Sequence, residues 1–491
     1  MRTKLSETQS RRSFILLLGE IFIALSGVGS ATAHAENYPN TKGKPSFEDT
    51  VEYLAIHKDD TLSAPLNSPR YPYHPDLNRW YVEEPESFKR GWDEILNGIG
   101  TKGSPTRRLA IAYWFSYFRH SMEKTKASIL NMMRTAEEKE IPIYIHLDGT
   151  EYWRGTGLWN WWNPDVDEKN DPGARYDPNN INNVERYGWD KNTAVKIAWR
   201  DWGSQHRAEY RNGMAVPAPN LASPAFRKKN AEALGEILPI IVQWYNALPS
   251  DKKYLLAGVV LGAELSVEMN AVYFRDPPES GSNYDGNDFA DAALREGWDE
   301  KTYLAKDKVN GLNLASGGKT VRLGYAAAQT LGLQTKGVIT GNTIDLVLNN
   351  YIEFLIKESL KSGISPKKLI THAYPPPRPG TWYKSFNHME ASISKVDGVV
   401  PGWTTPIMDY EKGIDLNKLK GRPWAAIETH FWAILNIPKE TRVEYIYKIL
   451  PGRLNGMYSH GNCRHVNIKD WEFPLKQNEG FRNAIRMTLS K

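Results

Sequence analysis

Eight short runs of β-branched and aromatic residues, most of them separated by a helix-like segment, constrain the fold of this chain more than any other feature. In order they are Leu109–Phe115, Ile141–Leu147, Val195–Trp199, Leu255–Leu261, Leu369–Ala373, Val399–Trp403, Trp424–Ile427 and Arg453–Tyr458. Each ends in, or is followed within three residues by, a polar or aromatic residue, as strands do where a sheet stops. Ser121–Glu140, after the first run, has the apolar spacing of an amphipathic helix; Ser223–Leu248 opens on a Ser-Pro start signal before the fourth, and Thr343–Ser362 precedes the fifth in the same way. Strands alternating with helices imply a parallel sheet, and eight such units imply closure, so the expected fold is α/β, a (β/α)8 TIM barrel. No GxGxxG follows the first run and no GxxxxGK[ST] occurs, which counts against the nucleotide-binding α/β folds.

Three stretches are expected along the chain. Residues 1–35 have the layout of a cleavable export signal: basic residues ending in Ser10-Arg11-Arg12-Ser13-Phe14, an apolar run from Ile15 to Val28, and small residues closing at Ala33-His34-Ala35. The Arg pair resembles a twin-arginine signal, and the apolar run, interrupted by Glu20, is too short for a membrane anchor. Residues 36–100 read as an N-terminal extension packed on the barrel, and residues 101–491 as the barrel itself. The mature protein is therefore expected outside the cytoplasm, periplasmic or extracellular, with no stable membrane insertion.

Residues 1–35 carry four of the 62 basic and two of the 57 acidic side chains, so the remainder is close to neutral and no nucleic-acid partner is implied. The single cysteine, Cys463, excludes an intrachain disulfide and reads as a packed bystander. More informative are 17 tryptophans and 25 tyrosines, many beside Gly, Pro, Asn and Asp, where the chain should be turning at the surface. Sugar rings offer flat C–H faces with hydroxyls at the edge, the ligand such a mixture of rings and polar groups suits.

Two long insertions, about residues 149–192 and 265–340, follow the second and fourth runs, and loops after barrel strands wall the active-site face. Two runs also deliver a glutamate where they end: Val259-Val260-Leu261-Gly262-Ala263-Glu264 and Trp424-Ala425-Ala426-Ile427-Glu428-Thr429-His430. A pair of carboxylates at a barrel mouth is what glycoside hydrolysis needs, one group to protonate the leaving oxygen and one to attack or to activate water at the anomeric carbon.

Glutamates after the fourth and seventh strands of such a barrel resemble clan A of the glycoside hydrolases, a retaining group. The resemblance implies that Glu264 is the acid/base and Glu428 the nucleophile. Clan members usually carry Asn immediately before the acid/base; here Ala263 stands in that place, which leaves Glu268 open as a rival acid.

Strand ends and loops supply the candidate sugar-binding groups: His146, Asp148, Trp153, Arg154, Trp159, Trp161, Trp199, Arg200, Asp201, His372, Tyr374, Trp403, His430 and Tyr458. In this reading the rings stack on pyranose faces while Asp148, Arg200, Asp201 and His372 bind hydroxyls. The expected activity is retaining hydrolysis of an oligo- or polysaccharide with no cofactor. Two alternatives use the same residues. A metal-dependent barrel hydrolase could draw on His146, Asp148, His372, His430 and His460, although HxH and HExxH spacings are missing. A non-catalytic carbohydrate-binding barrel would keep the rings and make the glutamates dispensable.

Overall fold

A computed structural model describes residues 50–58, 85–150, 152–161, 177–186, 188–195, 210–211, 214–215, 217–267, 269–272, 319–374, 389–408, 410–431, 434–435, 437–469, 471 and 475–491. Eight parallel strands close a barrel in chain order: β1 (Glu52–His57), β2 (Arg107–Ser116), β3 (Ile143–Asp148), β4 (Leu256–Leu265), β5 (Leu369–Ala373), β6 (Gly402–Thr404), β7 (Trp424–Thr429) and β8 (Cys463–Ile468). β8 pairs back onto β1 through Tyr53 and His465, which leaves the barrel itself without an edge. The (β/α)8 expectation holds.

Two of the expected staves differ from the observed ones. Glu52–His57, placed by the sequence reading in an N-terminal extension, is the first stave and pairs with β2 from Glu52 opposite Arg107 to His57 opposite Ala112. The eight staves close without the run Val195–Trp199: Val195 sits in the loop after β3, its amide donating to the carbonyl of Glu185 at 2.9 Å, and residues 196–199 lie outside the described residues. Arg453–Tyr458 lies inside the helix Leu450–Ser459, and the eighth stave is Cys463–Ile468. The signal at residues 1–35 lies outside the described residues.

The helices around the barrel are α1 (Pro85–Ile99), α2 (Met122–Lys139), α3 (Pro224–Ala247), α4 (Gly341–Lys361), α5 (Leu450–Ser459) and α6 (Glu479–Leu489), with shorter turns between them. Side chains that satisfy orphan amides set several starts: the Ser223 hydroxyl accepts from Phe226 N at 3.2 Å with Pro224 in the first turn, and Thr340 accepts from Thr343 N at 3.2 Å. Alternation along each strand sends one set of residues to the helices and the other into the lumen. Outward groups such as Leu109, Ile111, Tyr113 and Phe115 of β2 join the helices in one continuous core.

Lumen positions include small residues, Ala55, Ala110, Ala112 and Ala425, and these leave room for large polar rings at the end where the strands begin. There Tyr144 lies 2.6 Å from His465 Nδ1, and Tyr53 stacks on the same imidazole with centroids 5.8 Å apart. Burial, reinforced by Lys368 and Arg464, pushes His465 down to about 3, so the ring is neutral. Cys463 is buried, which pushes its thiol up to about 12, and it stays a thiol. No helix among the described residues is long and apolar enough to cross a membrane.

Candidate active site

Lumen residues near the other end of the barrel, where the strands finish, are polar. Period-two alternation carries β1 from Tyr53 through Ala55 to His57, β3 from Tyr144 to His146, and β8 from His465 through Asn467 to Lys469 just past its end. The rings of His57, Trp114 and His146 meet with centroids 5.5 to 6.0 Å apart, and His372 lies 5.8 Å from Trp114 and 6.2 Å from His146. Asn467 Nδ2 lies 3.0 Å from His146 Nε2; an amide nitrogen only donates, so Nε2 accepts and the proton sits on Nδ1. Burial first, then the neighbouring His57 and His372, holds His146 well below the usual imidazole range, and it is neutral.

Both glutamates stand at breaks in the strand pairing. β4 pairs with β5 from Val259–Leu369 to Leu261–Thr371, and the next pair is Leu265–Ala373, so the β4 side carries extra residues. The bulge is made by Gly262 at φ +84° and Glu264 at φ +45°. Gly262 takes the left-handed region without strain, whereas a glutamate there costs on the order of 1 kcal/mol or more. Bulges of this kind re-aim side chains at sheet rims. The β6–β7 register shifts between Trp403, opposite Ala426, and Thr404, opposite Glu428.

Glu264 and Glu428 are 6% and 2% exposed. The Thr404 hydroxyl donates to Glu264 Oε1 at 2.8 Å. That hydroxyl has a single proton, so the 3.0 Å contact between its oxygen and His372 Nε2 requires the imidazole to donate. The same Nε2 is 3.6 Å from Glu428 Oε2. Three consecutive contacts, through one hydroxyl and one imidazole, thus join the two carboxylates. On its other oxygen, Glu428 is ion-paired with Lys469 and lies 3.3 Å from His430 Nε2.

The pair of glutamates and the polar ring around them decide the character of the site. No family model and no curated protein matches the chain. Among solved structures it is similar to a GH5-4 broad specificity endoglucanase from an uncultured bacterium, at 10% identity and a TM-score of 0.36, over 89% of this chain and 94% of that one. At that level the likeness carries no argument, and the chemistry rests on the geometry of the site itself.

Of the candidates named from the sequence, Glu264, Glu428, His146, His372 and His430 come together at this mouth. Asp148 is fully buried, and its Oδ1 accepts from the Thr150 amide at 3.0 Å and hydroxyl at 2.7 Å, so one oxygen of its carboxylate is used within its own turn. The aromatic loop after β3 packs inward. Trp153 donates from Nε1 to the Pro217 carbonyl at 3.0 Å and meets Phe226 edge-on at 5.7 Å, Trp161 donates to the Val195 carbonyl at 2.8 Å, and Trp159 is buried beside them in the main core. Tyr374, buried just past β5, holds β4 by donating its amide to the Leu265 carbonyl at 3.0 Å.

Two candidates lie away from the mouth. Thr404 faces the lumen, so alternation turns Trp403 outward, where it packs 6.5 Å from Trp424 under the helices. Tyr458 belongs to α5, and its hydroxyl donates to the Tyr53 carbonyl at 2.9 Å at the opposite end of the barrel. Trp199, Arg200, Asp201 and Glu268 lie outside the described residues, as does the side chain of Arg154, whose backbone belongs to the turn Trp153–Thr156. Among the described residues no group of three or more His, Cys, Asp or Glu side chains is arranged to hold a metal ion.

The sequence reading missed His57, Trp114, Thr404, Asn467 and Lys469. The signal was available for the last two: His465 to Lys469 alternates polar with apolar residues at period two, with the polar set facing the lumen.

Proposed function

We propose that the protein is a glycoside hydrolase that cleaves an oligo- or polysaccharide with retention of configuration. The observation that carries the reading is the convergence of two buried carboxylates, from the ends of the fourth and seventh staves, on Thr404 and His372. Glu428 faces the ammonium of Lys469, which favours the ionised form suited to a nucleophile.

In the first step a Glu428 oxygen attacks the anomeric carbon, the glycosidic C–O bond breaks, and the proton of Glu264 goes to the leaving oxygen. In the second, water attacks the same carbon, gives its proton to Glu264, and the bond to Glu428 breaks. Neutral His146 and Asn467 form a polar floor suited to sugar hydroxyls. Export is part of the proposal and rests on residues 1–35.

The test is a panel of polysaccharides and aryl glycosides, with product configuration followed by proton NMR. Turnover with retention is expected, together with loss of at least about a thousandfold in Glu264→Gln and Glu428→Gln at unchanged melting temperature. First-formed product of inverted configuration, or full activity in both variants, would overturn the reading.

A further inference from the structure

Lys469 is the first residue beyond the eighth stave, and its ammonium is located from two sides: it is ion-paired with Glu428 Oε1, and it lies 4.7 Å from the centroid of the Trp114 ring. His430 Nε2 lies 3.3 Å from the same Oε1, while Oε2 faces His372, on the side from which Thr404 and Glu264 approach. The two oxygens of Glu428 are therefore not equivalent. Trp114 and Glu428 are buried, and Lys469 is only 19% exposed along its side chain, so the pair is shielded from the screening that weakens surface ion pairs.

Resting on the hydrolase reading above, we propose that Lys469 is the positioning residue of the nucleophile: it clamps Oε1 of Glu428, keeps the carboxylate ionised and presents Oε2 as the attacking oxygen. The sugar bond then forms at Oε2 while Oε1 keeps its contact with Lys469, and the carboxylate departs in the second step still paired with the ammonium. Among the described residues the titratable groups facing this carboxylate include His372 and His430, with His146 near it in the lumen and Glu264 reached through Thr404. A cation at contact distance lowers a carboxyl by about one to three pH units, so removing it moves the titration up by that amount.

The experiment is a carbon-13 NMR titration of the mature protein labelled at glutamate side-chain carboxyls, with Glu428→Gln used to assign the resonance. In Lys469→Met, and in Lys469→Gln should the methionine variant fail to fold, the Glu428 carboxyl titrates higher by about one to three pH units, and Lys469→Arg restores the original value. With an aryl glycoside that the wild type turns over, the acid limb of kcat/KM moves by the same amount. An unmoved carboxyl in a folded variant would overturn the proposal, as would a covalent 2-fluoroglycosyl adduct bonded through Oε1. Inverted product or no turnover in the wild type would instead count against the hydrolase reading, which the titration alone does not test.

Discussion

Glu185 offers the sharpest test of how the mouth is built, because it joins the loops after β3 and β4. Its carboxylate is 3% exposed and accepts four backbone amides: Arg186 at 3.1 Å, Gly324 at 3.0 Å, and Ala326 and Ala327 at 3.2 Å each. Three of these belong to the opening of the short helix Tyr325–Thr330, and Arg186 adds a second tie at 2.8 Å to Gln329 of that helix. Four donors favour the ionised carboxylate and burial disfavours it. Burial is the larger effect and pushes Glu185 up from 4.5 to about 7.

A carboxyl raised in the folded state contributes stability that is complete below its unfolded value and is lost as pH climbs through its folded one. At about 1.4 kcal/mol per pH unit, the window from 4.5 to about 7 is worth about 3 kcal/mol. Glu185→Gln keeps the shape, cannot ionise, and at any pH leaves one amide facing an NH2 group at a cost of about 1–3 kcal/mol. Urea denaturation of the mature wild type and Glu185→Gln, in half-unit steps from pH 4.5 to 8, should show the wild type losing about 3 kcal/mol relative to the variant by pH 7 and nothing further above it. A difference independent of pH would refute the reasoning. A wild type that gains on the variant as pH rises would show that the four amides outweigh burial.

Thr404→Val removes the hydroxyl between Glu264 and His372, and with Glu264 protonated as the acid that hydrogen bond joins neutral groups and is worth about 0.5–1.5 kcal/mol, so kcat/KM should fall about twofold to tenfold while Thr404→Ser keeps most of the rate. An unchanged rate in the valine variant would remove Thr404 from the site. Trp153→Ala should cost about 3–5 kcal/mol in urea denaturation without altering saccharide affinity of the folded protein, since the indole fills the core; lost affinity at unchanged stability would make Trp153 a sugar platform.

Much of the barrel was legible in the sequence because outward-facing strand residues must be apolar to meet the helices. β2, β3, β4, β5 and β7 carry enough Ile, Leu, Val, Phe and Trp to stand out, and Ser121 and Ser223 mark the starts of two of the helices that cover them, while the third was begun at Thr343, three residues past its Thr340 cap. β8 was harder. Its lumen set, His465 and Asn467, is polar, because the lumen of this barrel is lined by a hydrogen-bonded ring network that local hydrophobicity does not register. The run Arg453 to Tyr458 drew the assignment one element too early, although those residues are helical and bury Leu454, Met457 and Tyr458 at three- and four-residue spacing.

The two acid positions were found for a reason that survives the miscount. The omission of Glu52–His57 and the inclusion of Val195–Trp199 cancel, so Glu264 and Glu428 keep their places on the fourth and seventh staves. What marked each was an apolar strand ending abruptly in a carboxylate, and that signal is local to one strand, independent of how many precede it. The aromatic loop failed as a guide for the opposite reason. Indoles beside Gly and Asn look exposed in sequence, yet Trp153 and Trp161 each find a backbone carbonyl for the Nε1–H, and once that donor is satisfied nothing opposes burying the rest of the ring. Lys469 completes the contrast. A lysine after a strand reads as a solvated end, and only the pairing of β8 with β7 places its ammonium on Glu428.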